Sequence, residues 1–215
     1  MLFYVINLEY ATDRLLNFNK SIESNKLIYN RFKAIDGKKL KLSRKYFTHK
    51  FLQDHPLSYF ESLKGSIACA LSHCALWKMI IASPLEETHV ILEDDIKFDD
   101  NFKKKIEFFI SKLPDEWDVL YLGRKYLLGK QVNKYFVKGS RTNMKGFNIS
   151  SHGYVIRKKG AMKLYKIVYP LSQIEQDLIL RENLHRYNGY FLLEPIITRC
   201  NMKSTIDSVN IGQRI

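Results

Sequence analysis

An apolar run that ends in three carboxylates constrains this 215-residue chain more than any other feature. Residues 90–92 (sequence VIL) predict a strand that is buried on both faces, as in the middle of a mostly parallel sheet. Glu93, Asp94 and Asp95 follow at the carboxyl end of that strand, where open α/β sheets place their ligand crevices. Side chains two residues apart share a face of an extended backbone, so we expect Glu93 and Asp95 to point together and Asp94 to point away.

Two convergent carboxylates repel each other unless a cation or a proton lies between them. A hard divalent ion such as Mg²⁺ or Mn²⁺ solves that problem, and an ion held in this way commonly also binds substrate phosphates. The pattern therefore predicts that Glu93 and Asp95 are metal ligands. The alternative is an acidic loop that caps the following helix.

The charge balance indicates a negatively charged partner. The chain has 35 Lys and Arg against 22 Asp and Glu, a formal net charge of +13. Nucleic acid, an anionic membrane surface and a polyanionic substrate all fit such an excess, although any single lysine cluster is more typical of a solvated helix face. The hydrophobic fraction of 46% excludes a disordered chain. The three cysteines show no zinc or redox spacing, which favours free thiols in a reducing cytoplasm.

Apolar periodicity predicts strands that alternate with helices, which is typical of an α/β fold with a mostly parallel sheet. The predicted helices are 12–25, 66–82, 99–112, 159–168 and 175–183, and the predicted strands are 2–8, 30–35, 89–93, 117–122, 154–156 and 190–193. Residues 38–64 and 124–146 are basic and are interpreted as loops, the first with short helices and the second as a hairpin or loop. The first strand lacks the basic region of a signal peptide and is too short to span a membrane. No domain boundary is visible, so we expect a single domain.

The motifs that the chain lacks narrow its function. There is no G-x-G-x-x-G after the first strand and no G-x-x-x-x-G-K-[ST], so neither a dinucleotide fold nor a P-loop enzyme is indicated. The G-x-S-x-G elbow of α/β-hydrolases is absent as well.

Five segments, taken together and in this order, resemble glycosyltransferase family 25. This family contains lipooligosaccharide galactosyl- and glucosyltransferases and is related to collagen galactosyltransferases. The segments are FYVINL…DR within residues 3–14, FKAIDG at 32–37, GSIACALSH at 65–73, ILEDD at 91–95 and SHGYVI at 151–156.

The resemblance implies a GT-A-like (Rossmann-like) α/β fold in one domain over residues 1–215, with a nucleotide-sugar half at about 1–123 and an acceptor-side half at about 124–215. It also implies an inverting, metal-dependent transfer of a hexose from a UDP-sugar, with galactose favoured and glucose next. The metal would be Mn²⁺ or Mg²⁺. As a Lewis acid, it would stabilise the charge that develops on the leaving diphosphate.

The resemblance also assigns a donor pocket, lined by Asn7, Arg14, Ala34, Asp36, His73 and Asp94. Arg14 is the candidate for the diphosphate and Asp36 for the base or ribose, while Asp94 orients a neighbouring loop or the donor sugar. Local alternatives remain: the Asp36-Gly37 pair makes a turn, and a histidine in an apolar helix is often a satisfied core residue.

An inverting transfer needs a base that takes the proton of the acceptor hydroxyl. The family carries an Asp in a late P-x-D segment, and the nearest match here is Asp177, although no proline is adjacent. Glu175 is the alternative, and a plain acid pair at a helix N-terminus is the other interpretation of both. His152 is a further active-site candidate that contacts donor or acceptor. A late S-x-I element falls at residues 203–208.

We therefore expect a transferase that acts on a lipooligosaccharide or other lipid-linked acceptor. It would be cytoplasmic and peripheral at the inner face of a bacterial inner membrane, with residues 38–64 and 124–147 meeting the anionic membrane surface. No nucleic acid partner is expected, and the oligomeric state stays open. The alternatives are a metal-dependent nuclease or phosphoesterase, and a non-catalytic binding protein with a glycosyltransferase-like fold.

Overall fold

The computed structural model describes residues 1–85, 87–124, 127, 129–140 and 151–200. Its helices are α1 (Thr12–Ile22), α2 (His49–Asp54), α3 (Lys64–Ala82), α4 (Phe102–Ile110), α5 (Lys158–Val168) and α6 (Gln176–Glu182). Its strands are β1 (Leu2–Asn7), β2 (Asn30–Lys33), β3 (Thr88–Glu93), β4 (Ile96–Phe98), β5 (Val119–Tyr121), β6 (Gly129–Gln131), β7 (Phe136–Gly139), β8 (Gly153–Arg157), β9 (Gly189–Leu192) and β10 (Ile197–Arg199). Short 3-10 turns fill much of the chain between β2 and α3.

Eight strands form one twisted sheet in the order β2-β1-β3-β8-β5-β9-β7-β6. Strands β1, β2, β3, β5 and β9 point the same way, and β8 lies antiparallel between β3 and β5. The fold is therefore a mixed α/β domain whose large central sheet is mostly parallel, as predicted. Strands from both predicted halves, 1–123 and 124–215, contribute to this sheet.

Strand β3 lies at the centre because both of its faces are apolar. Its pairing places Ile91 opposite Tyr154 of β8, and the next residues alternate between the two sides. Ile91 packs in the core beneath α3, α5 and α6, whereas Val90 and Leu92 pack in the core beneath α1 and α4. Since Glu93 is two residues after Ile91, this alternation directs its carboxylate toward α3.

The predicted helices and strands are confirmed to within a few residues at their ends, but two short strands were missed. Strands β4 and β10 pair antiparallel with each other as a separate two-stranded ribbon. Each is only three residues long. No periodic pattern is visible over three residues, and the pairing joins segments about 100 residues apart in the sequence.

One described segment, Leu57–Ala82, is long and apolar enough to cross a membrane by length and composition. Much of it is buried inside the protein, and α3, which makes up most of it, forms part of the core beneath the sheet. A core helix of a globular domain satisfies the same criteria. The predicted element at residues 203–208 and part of the basic segment 124–147 lie outside the described residues.

Candidate active site

A cavity of about 370 Å³ opens at the carboxyl ends of β1, β2 and β3. These strands are parallel neighbours, so the residues that end or follow them meet at the same edge of the sheet. The predicted site residues that line the cavity are Arg14, Ala34, Asp36, His73, Glu93, Asp94 and Asp95. Asn7, His152, Glu175 and Asp177 are not among its lining residues.

Asp94 is held by Arg14 and Asn7. Arg14 donates to Oδ1 of Asp94 from Nε at 2.9 Å and also from Nη2, and Asn7 Nδ2 donates to Oδ2 at 2.6 Å. Asn7 is buried, and its Oδ1 accepts two hydrogen bonds from Arg31. Asn7 therefore orients Asp94 and Arg31 from below the cavity. Burial would lower the pKa of Arg14, but the adjacent Asp94 and Asp95 raise it overall.

Glu93 and Asp95 are joined by a cation on β10. Arg199 Nη2 donates to Glu93 Oε2 at 3.1 Å, and its Nε lies 3.9 Å from Asp95 Oδ2. Strand β3 ends at Glu93, so the strand alternation that predicted a shared face does not extend to Asp95; the contact with Arg199 is what links the two carboxylates. Arg14 Nη2 lies 3.4 Å from Asp95 Oδ2 as well.

The two carboxylates differ in their proton affinity. Burial and the neighbouring charge of Glu93 raise the pKa of Asp95. Burial would also raise the pKa of Glu93, but His73 and Arg199 outweigh it and hold that pKa below its usual range. Asp95 Oδ1 is buried and has no hydrogen-bond partner among the described residues. This arrangement favours a cation at Asp95.

His73 lies on α3 and is fully buried against the floor of the cavity. Its Nδ1 is 2.9 Å from the hydroxyl of Tyr154, which also accepts a hydrogen bond from Trp77 Nε1 at 2.9 Å. The other nitrogen, Nε2, faces Glu93 Oε1 at 3.5 Å, which is too long for a well-formed hydrogen bond. Cys69, one helical turn earlier, also lines the cavity, and burial and the charge of Glu93 raise the pKa of its thiol.

Asp177 lies in the first turn of α6, half-buried, and accepts a hydrogen bond from Ser151 Oγ at 2.6 Å. Ser151 in turn accepts one from Gln176 Nε2 at 2.8 Å. Burial, with a contribution from the charge of Glu93, raises the pKa of Asp177 to about 6. Asp177 is thus electrostatically coupled to the acidic cluster. Glu175, by contrast, is the N-cap residue of α6, and its backbone carbonyl accepts from Leu178.

His152 immediately precedes β8 and is buried. Its backbone carbonyl accepts from the Glu93 amide at 2.8 Å, which ties the end of β3 to β8. Its ring fills the space above Gly123, where a Cβ atom would stand 2.2 Å from Nε2. Burial lowers the pKa of His152 to about 4, so the imidazole is neutral at neutral pH.

The loop after β2 forms the opposite wall of the cavity. Ala34 N donates to the Asn7 carbonyl at 3.0 Å, and Ile35 N donates to Ser72 Oγ at 2.9 Å. Asp36 accepts from Lys38 N through Oδ1 at 2.9 Å and so caps the 3-10 turn that follows. A Cβ atom on Gly37 would lie 2.8 Å from the Cα of Gly65, so only glycine lets this loop meet the start of α3.

Two residues that line the cavity, Arg199 and Cys69, are not predicted as site residues from the sequence. Arg199 is the last residue of β10, a strand with no local sequence signature, so nothing in the sequence assigns it to the acidic cluster. Cys69 is different, because its spacing of four residues from His73 places both on one helix face. The spacing is visible in the sequence, but from the sequence alone Cys69 is interpreted only as a free thiol.

Comparison with known proteins identifies the family of this chain. The family model for glycosyltransferase family 25 (LPS biosynthesis protein) matches residues 1–180. Procollagen galactosyltransferase 2 of Homo sapiens is 30% identical over 167 residues, which cover 75% of this chain and 26% of that protein. A glycosyltransferase 25 family member of Anopheles gambiae is 32% identical over 177 residues, 80% of this chain and 29% of that protein. The inactive glycosyltransferase 25 family member 3 of Mus musculus is 28% identical over 205 residues, 87% of this chain and 33% of that protein.

The chain thus spans between a quarter and a third of the length of these curated relatives. Among solved structures, the crystal structure of A197 from STIV has a TM-score of 0.46 and 16% sequence identity, and the match covers 91% of this chain and 82% of that chain. The family match covers most of the sequence and includes all five segments that carry the resemblance. The chain belongs to glycosyltransferase family 25.

Proposed function

We propose that this chain is an inverting hexosyltransferase that uses a UDP-sugar donor, with galactose favoured over glucose. The observation that carries the proposal is the cavity at the ends of β1, β2 and β3. It brings the carboxylates of residues 93–95 together with the guanidinium groups of Arg14 and Arg199. A nucleoside diphosphate with a divalent cation requires both charges: anions for the metal and cations for the phosphates. The name of the human relative supports galactose.

Glu93 and Asp95 have the chemistry that Mn²⁺ or Mg²⁺ requires. Both are carboxylates, and the buried, unpartnered Oδ1 of Asp95 presents an oxygen to an incoming cation. When bound, the cation would neutralise the charge that develops on the departing diphosphate. Without the cation, Arg199 compensates the charge of the same two carboxylates. The guanidinium group of Arg199 is also suited to binding phosphate oxygens.

Three residues are proposed to contact the donor, and two others to position the site. Arg14, fixed by its paired hydrogen bonds to Asp94, presents its charge to the diphosphate. Ala34 and Asp36 line the wall where uridine is proposed to bind. Asp94 acts by positioning Arg14, and His73 acts by facing Glu93.

The transfer forms one carbon–oxygen bond, breaks another and moves one proton. The acceptor hydroxyl oxygen attacks the anomeric carbon, the bond from that carbon to the phosphate oxygen breaks, and the hydroxyl proton passes to a base. Asp177 is the proposed base because the family resemblance points to it and because its carboxylate is electrostatically coupled to Glu93 at the cavity. Its pKa of about 6 leaves it mostly ionised at neutral pH and able to accept a proton. Glu175 is the reserve candidate. With a pKa of about 4, His152 is a weaker base than Asp177, so its proposed role is a contact with donor or acceptor.

The donor proposal is tested by incubating the chain with Mn²⁺ and a panel of UDP-sugars while measuring UDP release and thermal stabilisation. UDP-galactose is expected to give the largest response, since ligand binding raises apparent stability by mass action. Asp95→Asn is expected to abolish release, whereas Asp100→Asn, which alters an exposed carboxylate beyond β4, leaves it unchanged. A flat panel, with no donor above background, would overturn the proposal.

The proposed acceptor is a lipid-linked oligosaccharide at the cytoplasmic face of a bacterial inner membrane. The formal charge of +13 and the LPS biosynthesis description of the family support it. The relatives named procollagen galactosyltransferases suggest a peptide acceptor in its place. Transfer of labelled galactose to lipooligosaccharide and to a procollagen peptide, in parallel, distinguishes the two, and label on the peptide alone would refute the lipid-linked acceptor.

A further inference from the structure

The floor of the cavity holds a group of ligands that differs in kind from the carboxylate cluster above it. One ligand atom from each of Cys69, His73 and Glu93 lies within 4.8 Å of the others. Cys69 and His73 are one turn apart on the same face of α3, and Glu93 reaches them from the end of β3. These three residues are called the thiol triad below.

The ligand atoms of the thiol triad lie close enough together to hold a tetrahedral cation that keeps one position open. Zn²⁺ binds sulfur at about 2.3 Å and nitrogen or oxygen at about 2.0–2.2 Å, so its ligands stand roughly 3.3–3.8 Å apart. His73 Nε2 and Glu93 Oε1 are already 3.5 Å apart. All three residues line the cavity, so a fourth position would face the space where the donor is proposed to bind.

The hydrogen bonds around the thiol triad leave its ligand atoms directed inward. His73 Nε2 belongs to a fully buried ring and has no hydrogen-bond partner among the described residues, while Nδ1 is occupied by the Tyr154 hydroxyl. In the tautomer in which Nδ1 donates to the Tyr154 hydroxyl, Nε2 presents its lone pair, as in metal-bound histidines. Glu93 gives Oε2 to Arg199 and turns Oε1 toward His73.

We propose that Cys69, His73 and Glu93 bind a borderline divalent cation of the Zn²⁺ class. Thiolate and imidazole select Zn²⁺ or Co²⁺, whereas Mg²⁺ prefers oxygen ligands alone. Two anionic ligands and one neutral ligand balance the charge of a divalent ion. Because Glu93 is shared with the proposed Mn²⁺ or Mg²⁺ site, a cation in the thiol triad competes for that carboxylate. The inference extends the proposed function by placing a second class of cation in the same cavity, but its evidence is the triad alone.

Cobalt provides a direct test, since a thiolate bound to Co²⁺ gives a charge-transfer absorption that carboxylates and imidazoles do not. The full chain is stripped of metal with a chelator and titrated with Co²⁺ in the absence of any nucleotide sugar. Wild type and Cys74→Ser, a change at a buried thiol on the same helix, are expected to show the band at one equivalent. Cys69→Ser is expected to lose it, and excess Mg²⁺ is expected to leave it unchanged. A band that persists in Cys69→Ser and disappears in Cys200→Ser would overturn the assignment.

Two further measurements keep the proposal falsifiable if Cys69→Ser does not fold. X-ray absorption of the Zn²⁺-loaded wild type is expected to show one sulfur among the nearest neighbours, and a shell of nitrogen and oxygen only would refute the thiol triad. Tyr154→Phe keeps all three ligands but removes the oxygen behind His73, so Zn²⁺ affinity is expected to fall roughly 10- to 100-fold. Since no donor is present in any of these experiments, failure of UDP-sugar turnover would bear on the proposed function and not on this site.

Discussion

The two faces of the central sheet are built differently. Beneath α3, α5 and α6, the core contains hydrogen-bonded polar side chains: the Tyr154 hydroxyl links Trp77 to His73, and the hydroxyls of Tyr121 and Tyr187 lie 3.0 Å apart. Beneath α1 and α4, aromatic and aliphatic side chains fill the core through edge contacts such as those of Phe18 with Phe98 and of Phe98 with Phe102.

The difference shows which face carries chemistry. The polar face continues into the cavity through His73, Cys69 and Glu93, and Asp177 lies on α6 of the same layer. The apolar face supports the sheet and reaches the cavity mainly through Arg14 on α1. Substitutions on the polar face should therefore change catalysis, and substitutions in the apolar core beneath α1 and α4 should change stability alone.

The largest effect is expected at Asp177. Replacing the proposed base by Asn should lower kcat by about 10²–10⁴-fold, because the variant has no positioned group that can accept the proton of the acceptor hydroxyl. In the wild type, activity should rise with pH through the pKa of about 6, since only ionised Asp177 accepts a proton. Asp177→Asn should lose that limb of the pH profile.

The matched control is Glu182→Gln, at an exposed carboxylate of the same helix, which should leave kcat unchanged. Full activity in Asp177→Asn together with a large loss in Glu175→Gln would transfer the role of base to Glu175.

The second prediction concerns the contact that joins the apolar face to the site. Arg14→Ala leaves the nearly buried Asp94 without its paired cation and should cost about 3–5 kcal/mol of unfolding free energy. The matched comparison is Lys105→Ala, which breaks an ion pair with Asp99 between two exposed side chains and should cost less than about 1 kcal/mol. Urea unfolding measures both, and equal losses would show that the Arg14 pair is not effectively buried.

The third prediction is a pH dependence of stability at His152. Its pKa is about 4 in the folded chain against an ordinary 6.5, because burial disfavours the charged ring. The unfolded chain therefore binds the proton more readily, and the stability present above pH 6.5 is lost as pH falls toward 4. The full difference is about 3 kcal/mol, at 1.36 kcal/mol for each pKa unit.

The raised pKa of Asp177 acts in the opposite sense over nearly the same range, so the wild-type curve alone does not isolate His152. The difference between wild type and His152→Gln, measured by urea unfolding at several pH values, does isolate it. His49→Gln, at an exposed histidine, should run parallel to the wild type. A constant difference between wild type and His152→Gln across pH 4–6.5 would contradict the prediction.

Much of the fold is readable from the sequence because its signals are local. The apolar run before Glu93 predicts a strand, and the small and apolar residues around His73 predict a helix. The alternation of strands and helices along the chain then predicts an α/β fold. The alternation rule correctly directs Glu93 but fails at Asp95, where the strand has ended and the chain turns. Arg199 was out of reach, because its place depends on the pairing of β10 with β4 far earlier in the chain. The grouping of the carboxylates was thus predictable from the sequence. Of the two arginines that compensate them, Arg14 was predicted and Arg199 was not.

The smallest expected effects give the sharpest test of the two faces. Tyr154→Phe removes a hydroxyl that serves both Trp77 and His73 and should cost about 1–3 kcal/mol, since two buried nitrogens lose their partner. Ile106→Val removes one methylene from α4 on the apolar face and should cost about 0.5–1.5 kcal/mol. The stability losses overlap, so the distinction lies in the kinetics of the folded enzyme. Tyr154→Phe should also alter kcat or the donor KM, because His73 then no longer holds a fixed orientation toward Glu93, whereas Ile106→Val should leave both constants unchanged. If both variants lose stability but keep the wild-type kcat and donor KM, the core beneath α3, α5 and α6 has only a structural role. The functional residues are then confined to those that line the cavity.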